Sequence, residues 1–471
     1  MTGTAEGAPA EVRNGWPLPR SERPWGPPAV FCASAATAVA TWCFAIGGQV
    51  AAYLNAAEGT LTALCGSLLG MLPVVLACLP PCGKYGVDSV VVSRAQLGTR
   101  GSVFATALVC VSTVGWNIVV MISLARAGAE VLIAAADLPP PARAPLEAGL
   151  ALAGAAVVWY GLRRGPDSLR DMTTYIAAGV IVLGAVVLVL LIRHVGWDAI
   201  TAARPSSARP DHAFNYATGV ELLVASNLSW WAYTGAIIRL APSTRATLWP
   251  AVVGLGLSVG LVSLIGLYTG LAVPGSGGDP SRHLLELGGV GVGMTALAFI
   301  VLANIGTAIV GVYVATLALR QIPRVARIPW NVSTLAPILP VAVVSAFLAA
   351  PFSARFGTFL TLCGVLFGPI AGIQIVDYHL LRRARLDVAA AFDPSRRSAY
   401  HFWGGVNPVG FAALAAGVAV YVYLLNPLTY VSHPPYEHIT AGIPSAVAAG
   451  AVYALGTRLV LRPLGKGGYG P

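Results

Sequence analysis

The chain has 471 residues, of which 56% are hydrophobic and only 10% charged, with a mean hydropathy of +0.73 and a formal net charge of +10. A soluble chain carries about a quarter charged residues, so a soluble globular protein is excluded and a polytopic membrane protein is implied. The basic surplus is accounted for by membrane topology, below, and requires no nucleic-acid partner.

Residues 1–27 are polar and Pro-rich, carry Arg13, Arg20 and Arg23, and lack the apolar core of a signal peptide. They read as a disordered cytoplasmic tail. A spanning helix needs roughly 20 apolar residues. Twelve segments qualify: 28–54, 60–79, 103–125, 144–161, 173–193, 212–238, 247–273, 288–318, 330–350, 357–380, 405–425 and 440–461. The polar loop LRRGPDSLRDM separates the fourth from the fifth. With the N-terminus inside, only seven of the 29 basic residues fall outside: Arg126, Arg143, Arg193, Arg204, Arg209, Arg282 and Arg355. This asymmetry fits twelve helices with both termini cytoplasmic.

Breaks in otherwise continuous spans mark the sites of transporters. In the first span, Gly47-Gly48 precedes Gln49 at membrane depth. Paired glycines weaken a helix by roughly 1 kcal/mol each, which points to unwinding there, with close helix packing as the alternative. The segment 85–101 between the second and third spans is too apolar for a simple linker and reads as a re-entrant or interfacial piece. The third span carries Gly115-Trp116-Asn117 at its centre, where an amide is costly unless hydrogen-bonded.

The sixth span is the most polar, with Glu221, Ser226, Asn227, Ser229, Trp230, Trp231 and Tyr233. It must line protein or a cavity, and SNLSWW is where it would unwind. Glu221 is a protonatable group for ion coupling, or a carboxyl near the interface. On the eighth span Thr307 and Gly311 share one helix face. A hydroxyl there suits a hard cation such as Na⁺, although such a Thr also bonds back to its own helix. Asp377, shortly before Arg382-Arg383, reads as a structural ion pair.

Seven cysteines form no disulfide framework; Cys78 and Cys82 sit at a helix end facing a reducing compartment. The seven histidines lie at span ends or in loops, with no HExxH spacing, which argues against an enzyme.

Several stretches taken together resemble the nucleobase–cation symporter family, the permeases for cytosine, purines, uracil, allantoin, hydantoins and thiamine. They are ERPWG (22–26), GKYGVDSVVVSRAQLGTRGS (83–102), VGWNIVVMI (114–122), WWAYTGAIIRLAP (230–242), and PIAGIQIVDYHLLRR (369–383) followed by Tyr400 and GGVNP (404–408). The resemblance implies an all-α, LeuT-like fold: two inverted five-helix repeats, 28–193 and 212–382, then two extra helices in 400–462 and a cytoplasmic tail, 463–471. It implies a heterocycle sandwiched between aromatic rings on the third and sixth helices. Trp116 matches the first, and Trp230, or Asn227 in an alternative register, the second. Gln49, Asn117 and Gly311 fall at or near the polar positions, and a coupling site is implied near Ala45 and Thr307 for Na⁺, with Glu221 for H⁺. This chain departs from the family at Ala236, Gly311 and Val120, where an Asp, an amide and a Gln are expected. The function implied is cation-coupled uptake of a flat nitrogen heterocycle across the cytoplasmic membrane by a monomer. A heterocycle-binding sensor or non-transporting homologue is the alternative, and an integral membrane enzyme a more distant one.

Overall fold

The computed structural model describes residues 17–23, 25–163, 169–242 and 244–469. Among them there are no strands, only two isolated bridges. Most of the disordered tail expected over 1–27, residues 1–16, lies outside the described residues. From Leu18 onward that tail is docked: the Arg23 guanidinium donates to the carbonyls of Leu18, Gly83 and Lys84, capping the end of the second span. Burial, with Arg20 nearby, lowers the Arg23 pKa from its ordinary value.

Every predicted span falls on a helix or a set of helices. The first is split into α1 (Pro27–Ala38) and α2 (Trp42–Ala51), bent by 69°. The helices α3 (Ala56–Tyr85), α4 (Ser89–Leu97), α5 (Val103–Ala136), α6 (Arg143–Leu162) and α7 (Leu169–His194) follow. The sixth span is α8 (His212–Leu228) and α9 (Trp231–Ile238). The seventh is α10 (Thr244–Val252) and α11 (Ser258–Ala272), joined by a π-helical turn. Then come α12 (Leu284–Arg320), α13 (Leu335–Phe347), α14 (Phe356–Ile375), α15 (Pro408–Leu424) and α16 (Gly442–Gly456). Eight helices of the described residues are long and apolar enough to cross a membrane, or nine with the bent first span counted as one.

The break in the first span lies at Val39–Thr41, where Val39 leaves the helix in an extended conformation. Gly47 and Gly48, expected to unwind, are helical. Their role is packing: a Cβ on Gly47 would sit 1.9 Å from the Ser263 carbonyl oxygen on α11, and one on Gly48 2.0 Å from that of Gly277. The missing side chains let two backbones touch. In the sixth span the helix tightens at Ser229–Trp230, within the SNLSWW stretch: the Ser229 and Trp230 amides bond three residues back, to Ser226 and Asn227. Elsewhere α5 packs along α12, α2 along α11, and α8 between α3 and α14, while α15 and α16 cover α14.

The 85–101 segment is the helix α4, buried along most of its length and capped by Asp88, whose carboxylate accepts the Val91 amide at 2.8 Å. Its anchor is the ion pair expected at Asp377: Arg382 Nε donates to Asp377 Oδ2 at 2.8 Å, and Gln96 Nε2 to the same oxygen at 2.5 Å. Tyr469, near the C-terminus, donates to Asp377 Oδ1 at 2.6 Å. This buried charge pair is fully hydrogen-bonded on its carboxylate side, which is what its desolvation demands.

Candidate functional site

Three cavities follow one another along α5. Near its start, Val109 borders a vestibule of about 440 Å³ shared with α4 and the end of α12. Residues 116–120 border a central cavity of about 70 Å³. Residues 119–126 border a second vestibule, about 470 Å³, roofed by the loop 274–283. At 1.5 Å per residue the path from Val109 to Arg126 covers about 25 Å, most of a bilayer's hydrocarbon core.

The central cavity is built where both broken spans meet α5 and α12. Trp42, the first residue of α2, contacts Trp116 with ring centroids 5.0 Å apart and Trp230 with centroids 5.6 Å apart, tilted at 56° and 48°. Trp116 is held in place: its indole N–H donates to Ser229 Oγ at 3.0 Å, and Phe356 and Phe359 meet it edge-on. Ser229 in turn donates to the Ser226 carbonyl at 2.6 Å, so the tight turn of the sixth span positions the α5 ring. Asn117 donates to the Thr113 carbonyl at 2.7 Å and presents its carboxamide against Gly311. A Cβ on Gly311 would lie 2.2 Å from Asn117 Nδ2, so the amide absent from α12 has its space filled by one from α5.

Of the residues singled out in the sequence, Trp116, Trp230, Asn117, Thr307 and Gly311 share this cavity. Asn227 does not: fully buried, it donates to Ser67 on α3 and to the Leu223 carbonyl. Trp230, rather than Asn227, is therefore the sixth-span residue at the site. Trp231, about 100° further round the helix, points away and donates to Gln374 at 2.6 Å. Gln49 and Ala45 border the vestibule under the 274–283 loop. Ala45 and Thr307 thus line different cavities, and the Thr307 hydroxyl is spent on the Ala303 carbonyl at 3.0 Å. What meets across the first-span break is Thr41, whose hydroxyl donates to Asn304 Oδ1, with Asn304 Nδ2 buried and unpartnered among the described residues.

Glu221 is fully buried and lines none of the three cavities. Its carboxylate accepts the Tyr421 hydroxyl at 2.7 Å and the amides of Ala441 and Gly442, both at 2.9 Å. Those amides begin α16, so Glu221 caps that helix from across the bundle. At the α4-side vestibule, the backbone N–H and hydroxyl of Ser395 hold the half-buried Asp393 carboxyl below its usual pKa. Sequence reasoning missed Trp42; a Trp at the centre of a span, next to its break, was the available signal.

An all-helical membrane bundle whose aromatic centre lies between two interrupted helices and two vestibules defines the class of broken-helix membrane transport proteins. The model of the family described as permease for cytosine/purines, uracil, thiamine, allantoin matches residues 17–438, and the chain belongs to this family. It is 25% identical over 395 residues to a purine-uracil permease of Arabidopsis thaliana, covering 77% of this chain but only 62% of that relative's length. A hydantoin permease of Microbacterium maritypicum is 38% identical over 82 residues, 17% of this chain and 16% of that protein. Among solved structures, Mhp1 in an inward-facing conformation superposes with a TM-score of 0.78 at 18% identity, covering 94% of this chain and 93% of that one. Mhp1, a nucleobase-cation-symport-1 family transporter, in a closed conformation with bromovinylhydantoin bound, gives 0.73 at 18% identity, with 96% of each chain covered. At this identity the likeness to Mhp1 establishes the fold.

Proposed function

We propose that the chain is a secondary active transporter that carries a flat nitrogen heterocycle across the cytoplasmic membrane in symport with a cation, by alternating access. The observation that carries this reading is the succession of cavities along α5, in which only a narrow aromatic centre separates two vestibules. Both breaks adjoin that centre, so a small rearrangement there opens one side and closes the other. In this reading Trp116 and Trp230 grip the ring faces, supplying affinity by stacking, and the Asn117 carboxamide reads a polar edge. The family's description and the permeases it resembles support a nucleobase or hydantoin-like ring.

The same proposal takes 28–193 and 212–382 as inverted repeats, 400–462 as two additional helices, and the working unit as a monomer. Both termini and α4 lie on the cytoplasmic side, as the basic-residue asymmetry supports. The coupling ion is Na⁺ or H⁺.

The test is thermal unfolding of the purified protein with cytosine, uracil, adenine, hypoxanthine, allantoin and hydantoin, in Na⁺ and in choline, at two pH values. A ligand that binds only the folded state raises the midpoint by mass action. The ring that stabilises should then accumulate in proteoliposomes, and the gradient that drives it names the ion. If none of the six stabilises the protein or is taken up under any gradient, the proposal fails.

A further inference from the structure

The ring that both Trp116 and Trp230 contact is a third one from the protein itself. We infer that Trp42 is a resident place-holder in the aromatic slot: in the empty protein its indole occupies the position of the planar ligand, which binds by turning Trp42 aside. This rests on the reading that the central cavity takes a flat heterocycle.

Three observations converge. Space comes first: the cavity left beside the three indoles is about 70 Å³, about half the ~150 Å³ of an apolar cavity that takes up benzene. A bound ring therefore requires a lining side chain to move. Mobility comes second. Trp116 is pinned by Ser229, Phe356 and Phe359. The Trp42 indole N–H makes no hydrogen bond among the described residues, and its backbone is the first turn after the Val39–Thr41 break, where the span bends by 69°. A change in that bend displaces Trp42, which lies one residue past the break and lines the cavity. Geometry comes third: Trp42 meets its neighbours at 56° and 48°, tilted rather than stacked. A flat guest lying parallel to Trp116 would cover its face more completely than Trp42 does.

The consequence is a tax on affinity. Each tilted aromatic contact is worth about 2- to 12-fold in an equilibrium constant. Displacing Trp42 forfeits both, so its removal should tighten ligand binding by about tenfold or more.

The experiment uses the full chain in detergent, with binding followed by titration calorimetry and thermal unfolding. Trp42→Ala should bind the most stabilising heterocycle of the panel at least about tenfold more tightly than wild type, with Trp42→Phe in between. Independently of the natural ligand, indole itself should stabilise Trp42→Ala at concentrations that leave wild type unmoved, because it refills the vacated space. Weaker heterocycle binding by Trp42→Ala would make Trp42 a stacking platform and overturn the inference. So would the absence of any indole effect on that variant. Should Trp42→Ala not survive purification, Trp42→Phe decides by the same order of affinities. If no heterocycle binds either protein while indole stabilises the variant alone, the place-holder stands and the heterocycle reading falls.

Discussion

Glu221 is the residue at which a coupling role and a structural one give opposite predictions. Its carboxylate is fully buried and receives three donors, the Tyr421 hydroxyl and the Ala441 and Gly442 amides. The two amides belong to the N-terminus of α16, which has no capping side chain of its own. A carboxylate at that end also meets the positive pole of the helix dipole. Glu221→Ala strands all three donors, and each buried donor left unpaired costs about 1–3 kcal/mol. The sum, on the order of 3–9 kcal/mol, rivals the whole stability of an ordinary domain. Glu221→Gln is milder. Its carbonyl oxygen can accept both amides, and the Tyr421 hydroxyl can turn to accept from the new amino group. What is lost is the charge assistance, which roughly doubles a hydrogen bond's strength, so the loss is about 1–3 kcal/mol. The expected result is a severe fall in unfolding temperature for Glu221→Ala and a modest one for Glu221→Gln, whose uptake keeps its wild-type pH dependence. Thermal unfolding and uptake at several pH gradients measure both. A Glu221→Gln protein with unchanged stability but no pH-driven accumulation would refute the capping argument and make Glu221 the coupling group.

Four further substitutions probe the site and its frame. Gly47→Ala drives a Cβ to within 1.9 Å of the Ser263 carbonyl, so α2 and α11 must separate; overpacking of this kind costs about 1–3 kcal/mol or more, and a loss of monodisperse protein on size exclusion is expected, whereas normal behaviour would mean the crossing is loose. Trp116→Ala should lose binding of the stabilising heterocycle by 100-fold or more while the protein still inserts and purifies; retained affinity would remove Trp116 from the slot. Asn117→Ala should weaken that binding about 2- to 12-fold, the worth of one hydrogen bond. Gly311→Ala, whose Cβ falls 2.2 Å from Asn117 Nδ2, should reproduce the Asn117→Ala effect by displacing the same amide; an affinity equal to wild type in either variant argues against edge recognition by Asn117.

The helices were legible because long apolar runs have few alternatives in a membrane. Trp116, Trp230 and Asn117 were legible for a related reason: aromatic and amide side chains amid hydrocarbon demand a local cause, and a cavity supplies it. The first-span break was misplaced because a Gly-Gly pair serves unwinding and tight packing equally well. What decides between them is the Ser263 backbone, more than 200 residues away in sequence. The true break, in Val39-Ala40-Thr41, contains neither Gly nor Pro and leaves no local mark. The capping contacts of Glu221 were illegible because two of its three donors are backbone amides at the start of the last helix, which carry no side-chain pattern. That Ala45 and Thr307 border different cavities was illegible for a similar reason. Their separation depends on which cavity each helix face borders, and that is a property of the bundle.

The polar inventory of the central cavity bears on what kind of recognition it supports. Thr37 bonds the Ala33 carbonyl, Thr307 that of Ala303, and Ser229 that of Ser226 while also receiving the Trp116 indole. These hydroxyl protons are committed to the protein's own backbone. Val120 and Gly311 add no polar group to the cavity, and Ala236 borders the α4-side vestibule instead. The recognition left is ring contact from the tryptophans plus two lining residues with a polar end, Asn117 and Tyr233. Sites of this composition discriminate mainly by shape, where a methylene is worth about 10- to 200-fold, whereas a site built from buried hydrogen-bonding groups rejects a mismatched ring by about 10⁴–10⁵. A place-holding Trp42 fits such a slot: where ring faces do the recognising, a third indole covers the other two when no guest is bound.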